Sequence, residues 1–272
     1  MPELPEVETL KRALEPLILD KKFKRPVFFR QDLRFPIPID TLQAELPGRT
    51  LNSICRKAKY LLLETGSGAM LWHLGMSGRV TQYPTNQPQE KHTHAVFSFS
   101  TDLHLHFIDP RRFGAILWIP RGSGHKLLDS LGPDPLELST TGDVLFDRAK
   151  TCKGPVKNFL MNSQRLSGVG NIYACEALFK ARISPRKGAH RLSKKDWNLL
   201  LISLRTVLEK SIAAGGTTLR DFFDANGQPG YFVLDLAVYG KEGEPCKRCG
   251  SEIARIVQTG RSTFFCKTCQ KK

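Results

Sequence analysis

No stretch of this sequence is apolar for long enough to cross a bilayer; even LLLISL at 199–204 falls far short of the roughly 20 residues that a spanning helix needs. The first thirty residues carry acids and lack a continuous apolar core, so no secretory signal is expected and a cytoplasmic location is. Amphipathic basic helices and lipidation signals are missing as well, which removes the membrane surface as a partner. Acids are in short supply: 26 Asp and Glu face 41 Lys and Arg, for a formal charge of +15. Such an imbalance favours a polyanion, and without membrane features the polyanion is nucleic acid. Internal repeats and low-complexity segments are also absent. What remains is a globular composition, 40% hydrophobic and 25% charged, over 272 residues, enough for one large domain or two ordinary ones.

The first half reads as strands behind one helix. Val7, Leu10, Leu14 and Leu17 recur at helical spacing, so a helix is expected from about Pro5. After it, PVFF, RKAKYLLLE, AMLWHLGM, HAVFSFS, LHLHFID and AILWIP are short β-branched, aromatic or alternating runs divided by turn residues, the pattern of an antiparallel sandwich or barrel. In LHLHFID, Leu103, Leu105 and Phe107 face one way, while His104 and His106 are expected on a solvated face. Around LGPDPLELSTTGD the strand pattern stops, which places a domain boundary near residues 131–150. Helical periodicity follows: Ile172, Cys175, Leu178, Phe179 and Arg182 share one face, with Asn171 as the expected cap. Ser193 caps a second helix carrying Trp197, Leu200, Leu204, Val207 and Leu208, which ends before Gly215 and Gly216.

Seven cysteines fall into two groups. Cys55, Cys152 and Cys175 are scattered singly, as reduced structural thiols are. Cys246, Cys249, Cys266 and Cys269 form two CxxC pairs sixteen residues apart, with Gly250 directly after the first pair. Four thiolates in two such knuckles suit one tetrahedral zinc ion; with four protein ligands no position is open for a catalytic water, so the metal is expected to be structural. The competing reading, a redox pair, lacks a surrounding thioredoxin-like βαβ unit. Between the knuckles, SEIARIVQTGRSTFF reads as a hairpin with TGRS at its tip. From residue 241 to 272 there are eight Lys or Arg against three Glu, so Arg261 is displayed on a basic loop suited to a phosphate.

Three further stretches carry chemistry. SGVGNIY places two glycines before a helix, where backbone N–H groups suit a phosphate but plain turn chemistry would look the same. HLGMSG and DPRRFG each set bulky or cationic residues beside a Gly turn at a strand end. Met76, Arg111, Arg112 and Phe113 are either ordinary core and surface residues or, if they protrude, wedges that unstack bases. The opening MPELPEVET crowds Pro2 with Glu3, Pro5, Glu6 and Glu8. Pro5 in a first turn, with Glu6 and Glu8 near the positive helix end, is ordinary helix-start chemistry; Pro2 and Glu3 lie outside that explanation.

Together PELPEVET, RKAKYLLLE, HLGMSG, DPRRFG, GVGNIY, GGTTLRDF with GQPGYF, and the terminal CxxC pairs span nearly the whole chain. In this order they resemble the formamidopyrimidine-DNA glycosylases, bacterial enzymes that excise 8-oxoguanine and ring-opened purines. The resemblance implies an α+β fold: an N-terminal helix and antiparallel β-sandwich forming the catalytic domain at 1–133, a helical helix-two-turn-helix domain at 134–237, and a four-cysteine zinc finger at 238–272. It implies a monomer acting on double-stranded DNA that contains oxidised purines or abasic sites, nucleoid-associated in the cytoplasm. Pro2, exposed by removal of Met1, would be the nucleophile; Glu3 would be the general acid and base, and Glu6 an accessory carboxylate. Lys59 would contact phosphate and assist β-elimination, and Arg261 would assist δ-elimination. His73, His92, Arg111, Lys153 and Asn171 match DNA contacts, and Met76, Arg111 and Phe113 match the residues that fill the gap left by the extruded base. Residues 217–231 match the base-covering loop. The sequence departs from many relatives at Asn162, where Asp is frequent; a hydrogen-bonding role would survive that change and a charge role would not.

The chemistry is sound in itself. An α-amine with a pKa of about 7.8 is about a quarter neutral near pH 7.4, against about 0.1% for a lysine. Proline's secondary amine is more basic than an average terminus, so nearby cations or desolvation would have to lower its pKa. Two other readings stand beside this one: an endonuclease VIII type enzyme directed at oxidised pyrimidines, and a zinc-ribbon DNA-binding protein without catalysis. PELPEVET, the paired wedge motifs and the long loop favour the purine-directed branch.

Overall fold

The computed structural model describes residues 2–84, 90–216 and 236–271. The chain divides into two compact units, Met1–Asp129 with Ile212–Val233, and Ser130–Ser211 with Leu234–Lys272.

The first unit opens with helix α1 (Leu4–Ile18), one residue earlier than its apolar spacing predicts. Leu4, Val7, Leu10, Leu14 and Ile18 bury one stripe of it. Strand β1 (Val27–Phe28) and helix α2 (Ile39–Glu45) precede seven strands: β2 (Ser53–Lys57), β3 (Tyr60–Glu64), β4 (Gly68–His73), β5 (Arg79–Pro84), β6 (Thr93–Ser98), β7 (Leu103–Ile108) and β8 (Ala115–Pro120), then the short α3 (Lys126–Asp129). They form two four-stranded antiparallel sheets, ordered β1-β6-β7-β5 and β2-β3-β4-β8. One apolar core joins the sheets and α1: Leu61, Leu63, Met70 and Trp72 from one sheet meet Phe97, Leu105 and Phe107 from the other, with Leu10 and Leu14 beside them. Trp72 is the centre, its ring 5.1 Å from Phe97 and 6.0 Å from Phe107. Fully burying each such side chain contributes about 1.5–3 kcal/mol, so this layer is what makes the sandwich stable.

Two expectations are corrected here. RKAKYLLLE is not one strand but the β2–β3 hairpin, with Lys57 paired to Tyr60 and a turn at Ala58 and Lys59. His106 is not solvated: it is 6% exposed, its ring 4.5 Å from Tyr83 on β5, a strand that the turn-bounded apolar runs did not reveal. Burial, then the neighbouring His104, lowers the His106 pKa.

In the second unit come α4 (Gly142–Ala149), α5 (Val156–Met161), α6 (Asn171–Lys180), a 3₁₀ turn (Ala189–Arg191) and α7 (Lys194–Ala213), then β9 (Ile253–Gln258) and β10 (Arg261–Cys266). The Thr141 side chain caps α4 by accepting from the Val144 N–H. Ser193 caps α7 as expected: its hydroxyl accepts from the Asp196 N–H at 3.1 Å, and the Asp196 carboxylate accepts from the Ser193 N–H at 3.0 Å. The cap of α6 is Gly170, not Asn171, which is the first helical residue, and Arg182 lies beyond the helix end with φ +59°. Cys175, Phe179, Val238, Cys246, Ile253 and Cys266 form a small core under the β9–β10 hairpin. The buried Glu176 carboxylate holds the incoming chain, accepting from the N–H groups of Ala237, Val238 and Tyr239 at 2.9 Å each.

Candidate active site

The start of α1 gathers three of the residues singled out above. Pro2 is buried, and Glu3 and Glu6 are 2% and 1% exposed. Glu3 is the N-cap, in extended conformation, and forms a reciprocal box: its N–H donates to Glu6 Oε2 at 2.8 Å while its carboxylate receives the Glu6 N–H. Pro5, the second helical residue, has no N–H to satisfy there. Both acids therefore have helix-start roles, and both are buried within four residues of Pro2, where a carboxylate is a ready proton acceptor or donor. Gly216, with φ +84°, lies against Glu6; a Cβ there would sit 3.4 Å from Glu6 Cγ.

This helix is tied to the Lys59 turn. Glu8 Oε2 accepts from Arg56 Nε at 2.8 Å, Glu8 Oε1 accepts from Arg12 Nε at 2.9 Å, and Arg56 Nη1 donates to the Ala58 carbonyl at 3.1 Å. Ala58 takes φ +55°, an uncommon conformation for a residue with a Cβ, and the arginine bond at its carbonyl helps to hold it. Burial works to raise the Glu8 pKa, but the hydrogen bonds and charges of Arg56 and Arg12 outweigh it and lower the value.

His73 ends β4 opposite Tyr60, the two rings 4.9 Å apart. Its Nδ1 accepts the Gly75 N–H at 3.1 Å, and the ring is also hydrogen-bonded to the Phe113 backbone. Burial, reinforced by the charges of Lys59 and Arg34, lowers its pKa to about 4 despite that bond to Phe113. His73 is thus neutral near pH 7 and offers hydrogen bonding, not charge.

Beyond His73 run the two loops that carry the candidate wedges, between β4 and β5 and between β7 and β8. Phe113 is 46% exposed, with the exposed Arg111 guanidinium 5.0 Å from its ring centroid; Met76 is half-buried. Gly75, at φ +65°, lets the loops touch: a Cβ there would lie 2.4 Å from the Phe113 carbonyl carbon. His92 is exposed, with φ +71°, and its carbonyl accepts the Asp109 N–H at 3.1 Å.

The second unit holds the other candidates. Thr259 and Gly260 both have positive φ, which makes the β9–β10 connection a two-residue turn of the type that matches strand twist, and Arg261 follows as the exposed first residue of β10, paired with Gln258. Side chains of α5 and α6 grip the hairpin beside it. Lys157, fully buried, donates to the Ser262 carbonyl at 3.1 Å and to Thr263 Oγ1 at 2.6 Å; Asn171 Nδ2 donates to the same carbonyl at 3.0 Å; Asn158 Nδ2 donates to Thr259 Oγ1 at 2.8 Å. Among the described residues the Asn171 Oδ1 is buried without a hydrogen-bond partner. Lys153 is exposed between α4 and α5. Asn162 terminates α5, and its Oδ1 accepts the Gln164 N–H at 2.9 Å, a turn role that an amide and a carboxylate fill alike. The segment 217–231 lies outside the described residues.

The four cysteine sulfurs lie within 4.8 Å of one another, with Cys246 and Cys269 3.9 Å apart and Cys249 and Cys266 3.5 Å apart. Tetrahedral zinc with Zn–S bonds of about 2.3 Å requires sulfurs about 3.8 Å apart, so the donors fit the ion. The Arg248 and Cys269 N–H groups donate to Cys246 Sγ and Cys266 Sγ at 3.5 and 3.4 Å, as expected where thiolates need stabilising. One structural zinc follows, held by all four sulfurs.

Sequence reasoning passed over Asp109, Arg56, Lys157 and Glu176, buried or half-buried groups that hold these segments in place. Each looks like an ordinary surface or turn residue in the sequence, and only partners distant along the chain reveal it.

Comparison with known proteins identifies the family. Residues 1–116 match the formamidopyrimidine-DNA glycosylase N-terminal domain, residues 131–223 the formamidopyrimidine-DNA glycosylase H2TH domain, and residues 243–272 a zinc finger found in FPG and IleRS. A formamidopyrimidine-DNA glycosylase of Stenotrophomonas maltophilia is 44% identical over 271 residues, covering 100% of both chains. Among solved structures, Lactococcus lactis Fpg in complex with DNA containing an abasic site superposes with a TM-score of 0.89 at 34% identity, covering 99% of this chain and 100% of that one. MutM in complex with DNA containing carbocyclic 8-oxo-G gives 0.90 at 35% identity, covering 100% of both. With identity of this level running from end to end, the chain belongs to the formamidopyrimidine-DNA glycosylase family.

Proposed function

We propose that this chain is a bifunctional repair glycosylase that removes oxidised purines, 8-oxoguanine and formamidopyrimidines, from duplex DNA and then cleaves the strand. The observation that carries the reading is the buried, mutually hydrogen-bonded pair Glu3 and Glu6 in the first turn after Pro2. With Met1 removed, the Pro2 ring nitrogen is a secondary amine. Its lone pair attacks C1′ of the damaged nucleotide, and the base departs with the electrons of the glycosidic bond and takes up a proton. Glu3 moves protons as the sugar ring opens, leaving an iminium between Pro2 and C1′. That cation accepts the electrons released when a C2′ proton is removed, so the 3′ phosphate leaves; a second elimination releases the 5′ phosphate. Lys59 and Arg261 serve these two departures as phosphate partners. Met76, Arg111 and Phe113 occupy the space vacated by the extruded nucleotide, whose unstacking costs a few kcal/mol. His73, His92, Lys153 and Asn171 contact the DNA, and the enzyme acts as a monomer in the cytoplasm on the nucleoid.

Complexes of related proteins with abasic-site DNA and with carbocyclic 8-oxo-G DNA support the two kinds of substrate named here. Excision from duplexes carrying 8-oxoguanine or thymine glycol tests the substrate. Faster release of 8-oxoguanine is expected, and a preference for thymine glycol would overturn the assignment. Pro2→Gly should keep substantial affinity for damaged duplex while impairing the covalent step; complete loss of binding would contradict the proposed role.

A further inference from the structure

Asp109, the first residue of DPRRFG, is 0% exposed and sits where the two wedge-bearing loops meet. Three donors converge on its carboxylate. Ser77 Oγ donates to Oδ1 at 3.0 Å, the Arg111 N–H approaches Oδ1 at 3.3 Å, and the Gly114 N–H donates to Oδ2 at 2.7 Å. Its main chain is equally engaged. The N–H donates to the His92 carbonyl at 3.1 Å, and the carbonyl accepts from the Arg112 N–H at 3.2 Å and lies 2.8 Å from His94 Nε2. His92 and Arg112, at φ +71° and +59°, are both in the left-handed region, so Asp109 hydrogen-bonds to two strained residues as well as to both loops. Ser77 closes the ring by also accepting the Arg111 N–H at 3.3 Å.

We propose that Asp109 is a positioning residue for the reaction proposed above: it locks the loop of Met76 to the loop of Arg111 and Phe113, so that the three side chains enter the duplex as one rigid wedge. This rests on the functional reading and adds a residue to it. The geometry calls for a carboxylate, because a backbone N–H approaches each oxygen, Arg111 at Oδ1 and Gly114 at Oδ2; an amide would turn its NH₂ group toward one of these two obligatory donors. Loss of this lock should weaken insertion, which matters most when a stacked base must be driven out. A preformed abasic nucleotide has no base to unstack and should be less sensitive.

The test uses the full-length, zinc-loaded protein in single-turnover assays on two duplexes, one with 8-oxoguanine and one with a preformed abasic site. Asp109→Asn is expected to slow base excision about tenfold, the scale of a lost hydrogen bond to a charged group. It should slow abasic-site cleavage less than about threefold. Ser77→Ala, a milder cut in the same ring, should show the same split at smaller size and replaces Asp109→Asn if that variant does not fold. Phe113→Ala supplies the second readout: in that background Asp109→Asn (or Ser77→Ala) should cost less than about twofold more, because the loss acts through a side chain already removed. Equal losses on both substrates, or losses that multiply with Phe113→Ala, would assign Asp109 to general stability and overturn the proposal. Wild-type protein that excises no damaged base would instead overturn the functional reading, and this one with it.

Discussion

The residues that do most to define the candidate site are buried polar groups with partners far along the chain. His73 is one: its ring joins the Gly75 and Phe113 backbones, and its pKa falls to about 4. A histidine whose folded value lies below its unfolded one contributes stability fully above about pH 6.5, and loses it as pH drops toward 4, by at most about 3 kcal/mol. Urea unfolding between pH 7 and 4 should show this slope, and His73→Gln should flatten it; an unchanged slope would place the titration elsewhere. The sequence offered His73 as a DNA contact but could not show its neutrality, which comes from burial and from Lys59 and Arg34 nearby. For the same reason His106 reads as solvated, since Tyr83, which covers it, belongs to a neighbouring strand. Asp109 reads as a turn opener before Pro110. Lys157 reads as an exposed helical lysine, though its ammonium is satisfied by β10 more than a hundred residues away.

At the level of elements, periodicity made the α+β class and the zinc hairpin legible, because alternation, capping residues and CxxC spacing are local signals. The β2–β3 turn was not: Ala58 and Lys59 carry no Gly or Asn signature, and Arg56, linked to Glu8 across 48 positions, braces the turn from outside it. Glu8→Gln should therefore destabilise the first unit by about 2 kcal/mol at pH 7. The lowered Glu8 pKa sets the sign: its contribution is present above about pH 4.5 and is lost as pH falls through the folded value, so wild type and variant should converge in acid. A gap that persists at pH 3 would point to packing instead. The zinc hairpin has only a small core beneath it, so chelation should abolish hydrogen-exchange protection across 253–266 while the sandwich keeps its own. Retained protection in the metal-free protein would show that the core suffices without the ion.

Across the whole molecule, a net charge of +15 should make affinity for DNA a counterion-release process, with the exposed Lys153 and Arg261 as proposed contributors. Plotted as log K against log salt, binding should fall linearly, and Lys153→Ala should reduce the slope by about one contact; an unaltered slope would remove Lys153 from the interface. Composition made this polyanion preference legible early, whereas the amine chemistry rested on the resemblance carried by PELPEVET and the other motifs. Borohydride reduction during turnover on a duplex containing 8-oxoguanine, with the adduct mapped by peptide mass, tests that chemistry most directly. One DNA chain should be captured per protein, attached to Pro2 as the first residue of a polypeptide without Met1. Full-speed strand cleavage by protein that retains Met1, or an adduct on a lysine, would contradict it.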